Sequence, residues 1–124
     1  MYDLAVETTI AAGHQLREYC GKCERIHGHN WKIRLEVTAR ELDSIGLAVD
    51  FGVLKTVLNE VAGCYDHVML NELPDFAEIN PTSENLARII FEQCRVKLRD
   101  VAAGVTVKSV TVWESSGSSA RYYE

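Results

Sequence analysis

No stretch of this chain approaches 18 consecutive apolar residues, so the sequence offers no membrane-spanning helix. It also lacks a basic excess: 13 Lys and Arg stand against 18 Asp and Glu, a formal net charge of −5. Nucleic-acid binding draws on basic patches or stripes, and this balance argues against it. A basic n-region is missing as well, with Asp3 and Glu7 near the start, so the N-terminus does not read as a signal peptide. Cysteine is sparse, at four residues. Without a secretory signal, reduced thiols and a cytoplasmic location are expected rather than disulfides. What remains is an ordinary globular composition, 47% hydrophobic and 25% charged over 124 residues. It predicts one domain over 1–124 with enough apolar material for a core.

The chemistry concentrates between Cys20 and Trp31, which holds Cys20, Cys23, His27 and His29. Directly after it, Trp31, Ile33, Leu35 and Val37 alternate with Lys32, Arg34, Glu36 and Thr38, predicting a strand over 30–39 with one face buried. If that strand begins a few residues early, His27 and His29 fall on the Trp31 side. They would lie roughly 6.5–7 Å apart along the chain, with Gly28 leaving the space between them free of side chain. Upstream, Tyr2, Leu4, Val6, Thr8 and Ile10 share one face of a predicted strand over 2–10. The same parity carried through Ala12 reaches His14.

After a polar turn (40–46) and a short extended piece (47–51), Leu54, Val57, Leu58 and Val61 recur at helical spacing, predicting a helix over 53–64 with Asp50 as a candidate cap. Asp66-His67 and a polar loop (71–81) follow. Pro81-Thr82-Ser83-Glu84 opens a second helix whose stripe includes Leu86, Ile90, Cys94 and Leu98. A strand over 105–114 changes apolar parity near Lys108-Ser109, the mark of a bulge. Ser115 to Ser118 turns the chain back into a final strand over 120–123. The order ββααββ predicts an α+β domain: a four-stranded antiparallel sheet with two helices on one face. So small a sheet has bare edges, which pairing with another subunit would hide.

His14, His27 and His29 form a candidate metal site, since three imidazoles and one open position suit a catalytic zinc. Three unrelated histidines are the plain alternative. Cys20 and Cys23 could join His27 and His29 in a closed Cys2His2 structural zinc site, giving a non-catalytic module. That arrangement leaves His14 idle and crowds four ligands into ten residues. A redox pair is less well supported, because no helix follows Cys23. Cys23 alone can be an activated thiol beside a metal. Cys64 and Cys94 fall on helical stripes and read as core residues. Asp66 can orient His67 for proton transfer, or both can be solvated turn residues. Glu114 continues the phase of Val110 and Val112, so it either emerges into water or meets a paired N–H donor.

Cys23-x-x-x-His27-Gly28-His29, the upstream Ala11-Ala12-Gly13-His14, Asp66-His67, Pro81-Thr82-Ser83-Glu84 and Trp113-Glu114 occur in an order and spacing that resembles the 6-pyruvoyltetrahydropterin synthase / 6-carboxytetrahydropterin synthase family. The resemblance covers nearly the whole chain. It implies the tunnelling fold, in which three subunits close a twelve-stranded barrel and two trimers stack into a hexamer with active sites between subunits. It implies zinc on His14, His27 and His29, and a catalytic thiol at Cys23 assisted by Asp66 and His67. Glu114 would grip the pterin ring, with Thr82, Ser83 and Glu84 lining the pocket. The implied substrate is 7,8-dihydroneopterin triphosphate. The implied product is 6-carboxytetrahydropterin in the bacterial deazapurine (queuosine) branch, or 6-pyruvoyltetrahydropterin in the animal-type branch. Two features depart from the family pattern. Ile10 and Gly13 alter the usual residues before His14. Glu24, directly after Cys23, adds the Glu-x-x-His-Gly-His signature of relatives that make 6-hydroxymethyl-dihydropterin for folate, so Glu24 is a second candidate base or an exposed loop charge.

Overall fold

A computed structural model describes residues 1–124. Strands β1 (Tyr2–His14) and β2 (His27–Ala39) pair antiparallel along their full lengths, from Tyr2 opposite Ala39 to His14 opposite His27. Both alternations run further than the apolar residues alone announce. β2 pairs on its other side with β4 (Val105–Ser115), which pairs in turn with β5 (Ser118–Tyr123). The parity change in β4 is a bulge: Ser109 faces Glu36 and Val107 faces Val37, so Lys108 is the extra residue.

The sheet has a fifth strand that the sequence does not announce. β3 (Val68–Met69) is two residues long and lies parallel to β1, giving the mixed order β3-β1-β2-β4-β5. Two residues are too few to show a period of two, so no pattern marks it.

Helix α1 (Phe51–Gly63) starts two residues before the expected position, because Asp50 accepts a hydrogen bond from the Gly52 N–H at 2.7 Å. The extended piece expected at 47–51 forms no strand. Helix α2 (Ser83–Val101) is capped by Thr82, whose hydroxyl accepts from the Asn85 N–H at 3.1 Å. The helices contact each other, α1 lying against β1 and α2 against β4 and β5. Trp31, Ile33, Leu35 and Val37 are fully buried beneath them, with Leu54, Leu58, Leu86 and Ile90. Cys94 joins this core, whereas Cys64 does not: it is the exposed residue capping the end of α1, two residues past the buried Val61-Ala62 edge of the stripe. The opposite face of the sheet carries charge, with Lys108 bonded to Asp3 and 3.2 Å from Glu36. No helix is long and apolar enough to cross a membrane.

Thr82→Ala removes the α2 cap without touching the core. It is expected to cost about 1 kcal/mol, seen as a lower urea midpoint at unchanged m-value. An unchanged midpoint would contradict the cap's role.

Candidate metal centre

The β1–β2 register sets His14 directly across from His27, and Ala12 across from His29. Their side chains point toward the helix side, over the Trp31 ring. The three imidazole centroids lie 4.5, 4.8 and 5.2 Å from one another. Trp31 forms the floor, edge-on to His14 at 4.9 Å and His29 at 5.3 Å, and its Nε1–H is tied to the Ala12 carbonyl at 3.0 Å.

The outer nitrogens of two rings are anchored to backbone. His14 Nδ1 lies 2.8 Å from the Pro81 carbonyl and His27 Nδ1 lies 2.8 Å from the Arg25 carbonyl. A carbonyl can only accept, so each Nδ1 carries the proton and each Nε2 of a neutral ring presents a bare lone pair. Those two Nε2 atoms face each other at 3.0 Å. Glu114 then adds a carboxylate oxygen 3.1 Å from His14 Nε2 and 2.9 Å from His29 Nε2. The Glu114–His29 pair is close enough for a hydrogen bond but misaligned, so His29 Nε2 is buried without a hydrogen-bond partner. Distance alone overstates that pair, and the orphaned nitrogen is the more telling fact.

Four potential ligand atoms lie within 4.8 Å of one another, close enough to hold one cation between them. Imidazole and carboxylate donors suit zinc, and two nitrogens at about 2.0–2.1 Å on a tetrahedral ion lie about 3.3 Å apart, near the spacing seen. The residues therefore fit a zinc ion. Burial is the main cause holding the His29 ring below the usual imidazole pKa. The Glu114 carboxylate opposes it, and His14 and His27 add to it. A ring kept neutral is a ring ready to ligate.

Neither Cys20 nor Cys23 joins this group, so its donor set is three imidazoles and a carboxylate, not the Cys2His2 alternative. Both thiols are exposed on the loop between β1 and β2. The loop turns tightly at Tyr19-Cys20-Gly21-Lys22, where Cys20 and Gly21 have φ of 53° and 84°. Two positive values in succession give a type I′ turn, natural for Gly21 and strained for Cys20.

Polar side chains pin the start of this loop, and the sequence gives little warning of them. Asn71 accepts from the Gln15 N–H at 2.8 Å and donates to the Gln15 carbonyl at 2.7 Å. Asn80 does the same for Arg17, at 2.7 and 3.0 Å. Each amide thus stands in for a neighbouring strand. Glu24 closes the loop from within: its Oε1 accepts from the Leu16 N–H at 3.3 Å and lies 3.7 Å from His27 Nδ1.

Asp66 and His67 lie at the far edge of β1. The Asp66 carboxylate accepts from the Ala11 N–H and contacts His67 Nδ1, each at 2.9 Å. The Ala11 N–H is the chief cause holding the Asp66 pKa below the ordinary carboxylate value. His67 has a left-handed backbone (φ 58°), secured by its own N–H to the Ala11 carbonyl at 2.6 Å. Its side chain is 82% exposed. His67 and His29 line one cleft of about 540 Å³, with Gly13, Gly28 and Met69. Gly13 is placed where an added Cβ would meet Met69 Sδ at 3.4 Å. Thr82 and Ser83 begin α2 beside Pro81, the anchor of His14, and Glu84 is exposed in its first turn.

Comparison with known proteins places these observations. The family described as 6-pyruvoyl tetrahydropterin synthase matches residues 3–124. The 6-carboxy-5,6,7,8-tetrahydropterin synthase of Bacillus subtilis is 34% identical over 122 residues, covering 94% of this chain and 82% of the relative. The protein of that name from Synechocystis is 37% identical over 129 residues, covering 99% and 94%. The 6-pyruvoyl tetrahydropterin synthase structure from Caenorhabditis elegans superposes with a TM-score of 0.82 at 21% identity, covering 99% of this chain and 95% of that one.

The geometry gives Glu24 a task that glutamine can share, since an amide oxygen also accepts a hydrogen bond. Hydrogen exchange at the Leu16 amide is expected to quicken about tenfold in Glu24→Ala, the equivalent of a charge-assisted bond of about 1.5 kcal/mol. In Glu24→Gln most of the protection should remain. Equal exchange in all three proteins would rule out the pinning role.

Proposed function

Because the chain belongs to the 6-pyruvoyl tetrahydropterin synthase family, we propose that it is a zinc-dependent lyase acting on 7,8-dihydroneopterin triphosphate. With one water consumed, its products are 6-carboxy-5,6,7,8-tetrahydropterin, acetaldehyde and triphosphate. The observation that carries this reading is the convergence of His14, His27 and His29, with His29 and His67 on one cleft. The names of the Bacillus and Synechocystis relatives favour the 6-carboxy product over the 6-pyruvoyl one.

His14, His27 and His29 would hold the zinc, which supplies Lewis acidity to the hydroxyls of the substrate side chain. Glu114 offers two carboxylate oxygens to the paired N–H donors of the pterin ring and so orients it. Cys23 takes a proton from the side-chain carbon next to a hydroxyl. His67 returns or removes a proton on the opposite side, its Nδ1 held by Asp66 so that Nε2 does the exchange. The exposure of His67 and Cys23 supports a site shared between subunits, in a hexamer of two trimers. Thr82, Ser83 and Glu84 line the pocket from the start of α2. Free thiols fit a cytoplasmic enzyme. Folate-type formation of 6-hydroxymethyl-dihydropterin would need Glu24 as a base. Its bond to Leu16 favours a positioning role instead.

Incubation of the zinc-loaded protein with 7,8-dihydroneopterin triphosphate, followed by mass spectrometry, is expected to give the 6-carboxy pterin with acetaldehyde in equal amount. A chelator should stop the reaction. Cys23→Ala and His67→Ala should each lower kcat/KM about 10²–10⁴-fold, the range for general acid–base groups. A 6-pyruvoyl or 6-hydroxymethyl product would overturn the assignment of product. Turnover indifferent to the chelator would overturn the metal's part in it.

A further inference from the structure

The fourth donor raises a question the family reading leaves open. Three imidazoles and a carboxylate complete a tetrahedral set, and a complete set is the mark of a structural site, whereas a catalytic one keeps a position open. If the protein is the lyase proposed above, a substrate oxygen reaches a tetrahedral ion only where one of the four donors gives way. The four are not equally held. His14 and His27 are fixed at Nδ1 by the Pro81 and Arg25 carbonyls. His29 sits within the paired length of β1 and β2, above Trp31. Glu114 alone lies at an irregularity of the ladder: Trp113 faces Ser119 and Ser115 faces Ser118, so Glu114 is the extra residue. Its side chain is 36% exposed, and its carboxylate forms ion pairs with His14 and His29 alone. Bulges re-aim side chains and loosen pairing.

We propose that Glu114 is an exchangeable ligand, closing the metal site at rest and yielding its position when a hydroxyl-bearing substrate arrives. Released, the same carboxylate turns to the N–H edge of that substrate. One side chain thus keeps water and stray anions off the resting metal and then orients the ring. This rests on the lyase reading for the identity of the displacing substrate, but not for the resting coordination.

The test loads the protein with cobalt(II) and titrates thiocyanate, followed by visible absorption. An anion binding to a position that is open under about a tenth of the time has its affinity reduced about tenfold or more. Thiocyanate should therefore bind Glu114→Ala at least about tenfold more tightly than the wild type. Equal affinity would overturn the proposal. Should Glu114→Ala fail to hold cobalt, a crystal structure of the zinc-loaded, substrate-free wild type decides. A Glu114 oxygen about 2.0–2.2 Å from the ion supports exchange, and water in its place overturns it. Neither readout needs turnover. Tighter thiocyanate binding in a protein that makes no pterin product would remove the lyase reading and leave the ligand exchange standing.

Discussion

The pairing of β1 with β2 is the constraint on which everything else depends. Their unbroken register places His14 against His27 and carries His29 to the same side. A slip of one residue would turn one strand's histidines to the opposite face of the sheet. That slip is opposed by Trp31, Ile33, Leu35 and Val37, which would leave a fully buried core for the charged face. The placement of the three histidines is thus secured by hydrophobic burial some distance away. The histidines themselves need supply no stability.

They in fact work against it. Two imidazole lone pairs and a carboxylate oxygen face each other near van der Waals contact, and His29 Nε2 has no hydrogen-bond partner. An unsatisfied buried polar atom costs about 1–3 kcal/mol. Further strain sits in Glu18, Cys20 and His67, all three in the left-handed region. Such costs gather where structure serves chemistry and is over-determined by its surroundings. Asn71 and Asn80 show how this is done here. Each amide satisfies both polar groups of a backbone residue that has left the sheet.

Much of the fold was legible, and for identifiable reasons. The period of two in 31–38 and the period near 3.6 in α1 and α2 report burial directly. The phase break at Lys108 announced its bulge. Parity carried through Ala12 put His14 on the right side, because the strand did extend to it. What escaped the sequence has no period. β3 is two residues long, Cys64 caps the end of α1 two residues past its last buried residue, and the Asn anchors act across more than fifty residues of chain. For Glu114, phase gave the correct face. Its meeting with His14 and His29 depended on a second bulge and on pairing with β5, which only the assembled sheet reveals.

The central claim is that three imidazoles from two paired strands, rather than the thiols of the intervening loop, hold the ion. Metal analysis of His14→Ala beside the Cys20→Ala/Cys23→Ala double variant tests this most directly. The account predicts about one zinc per chain in the wild type and the double cysteine variant, and its loss from His14→Ala, since a catalytic zinc site rests on three fixed protein ligands and this variant removes one of them. Zinc retained by His14→Ala and lost from the cysteine variant would contradict it.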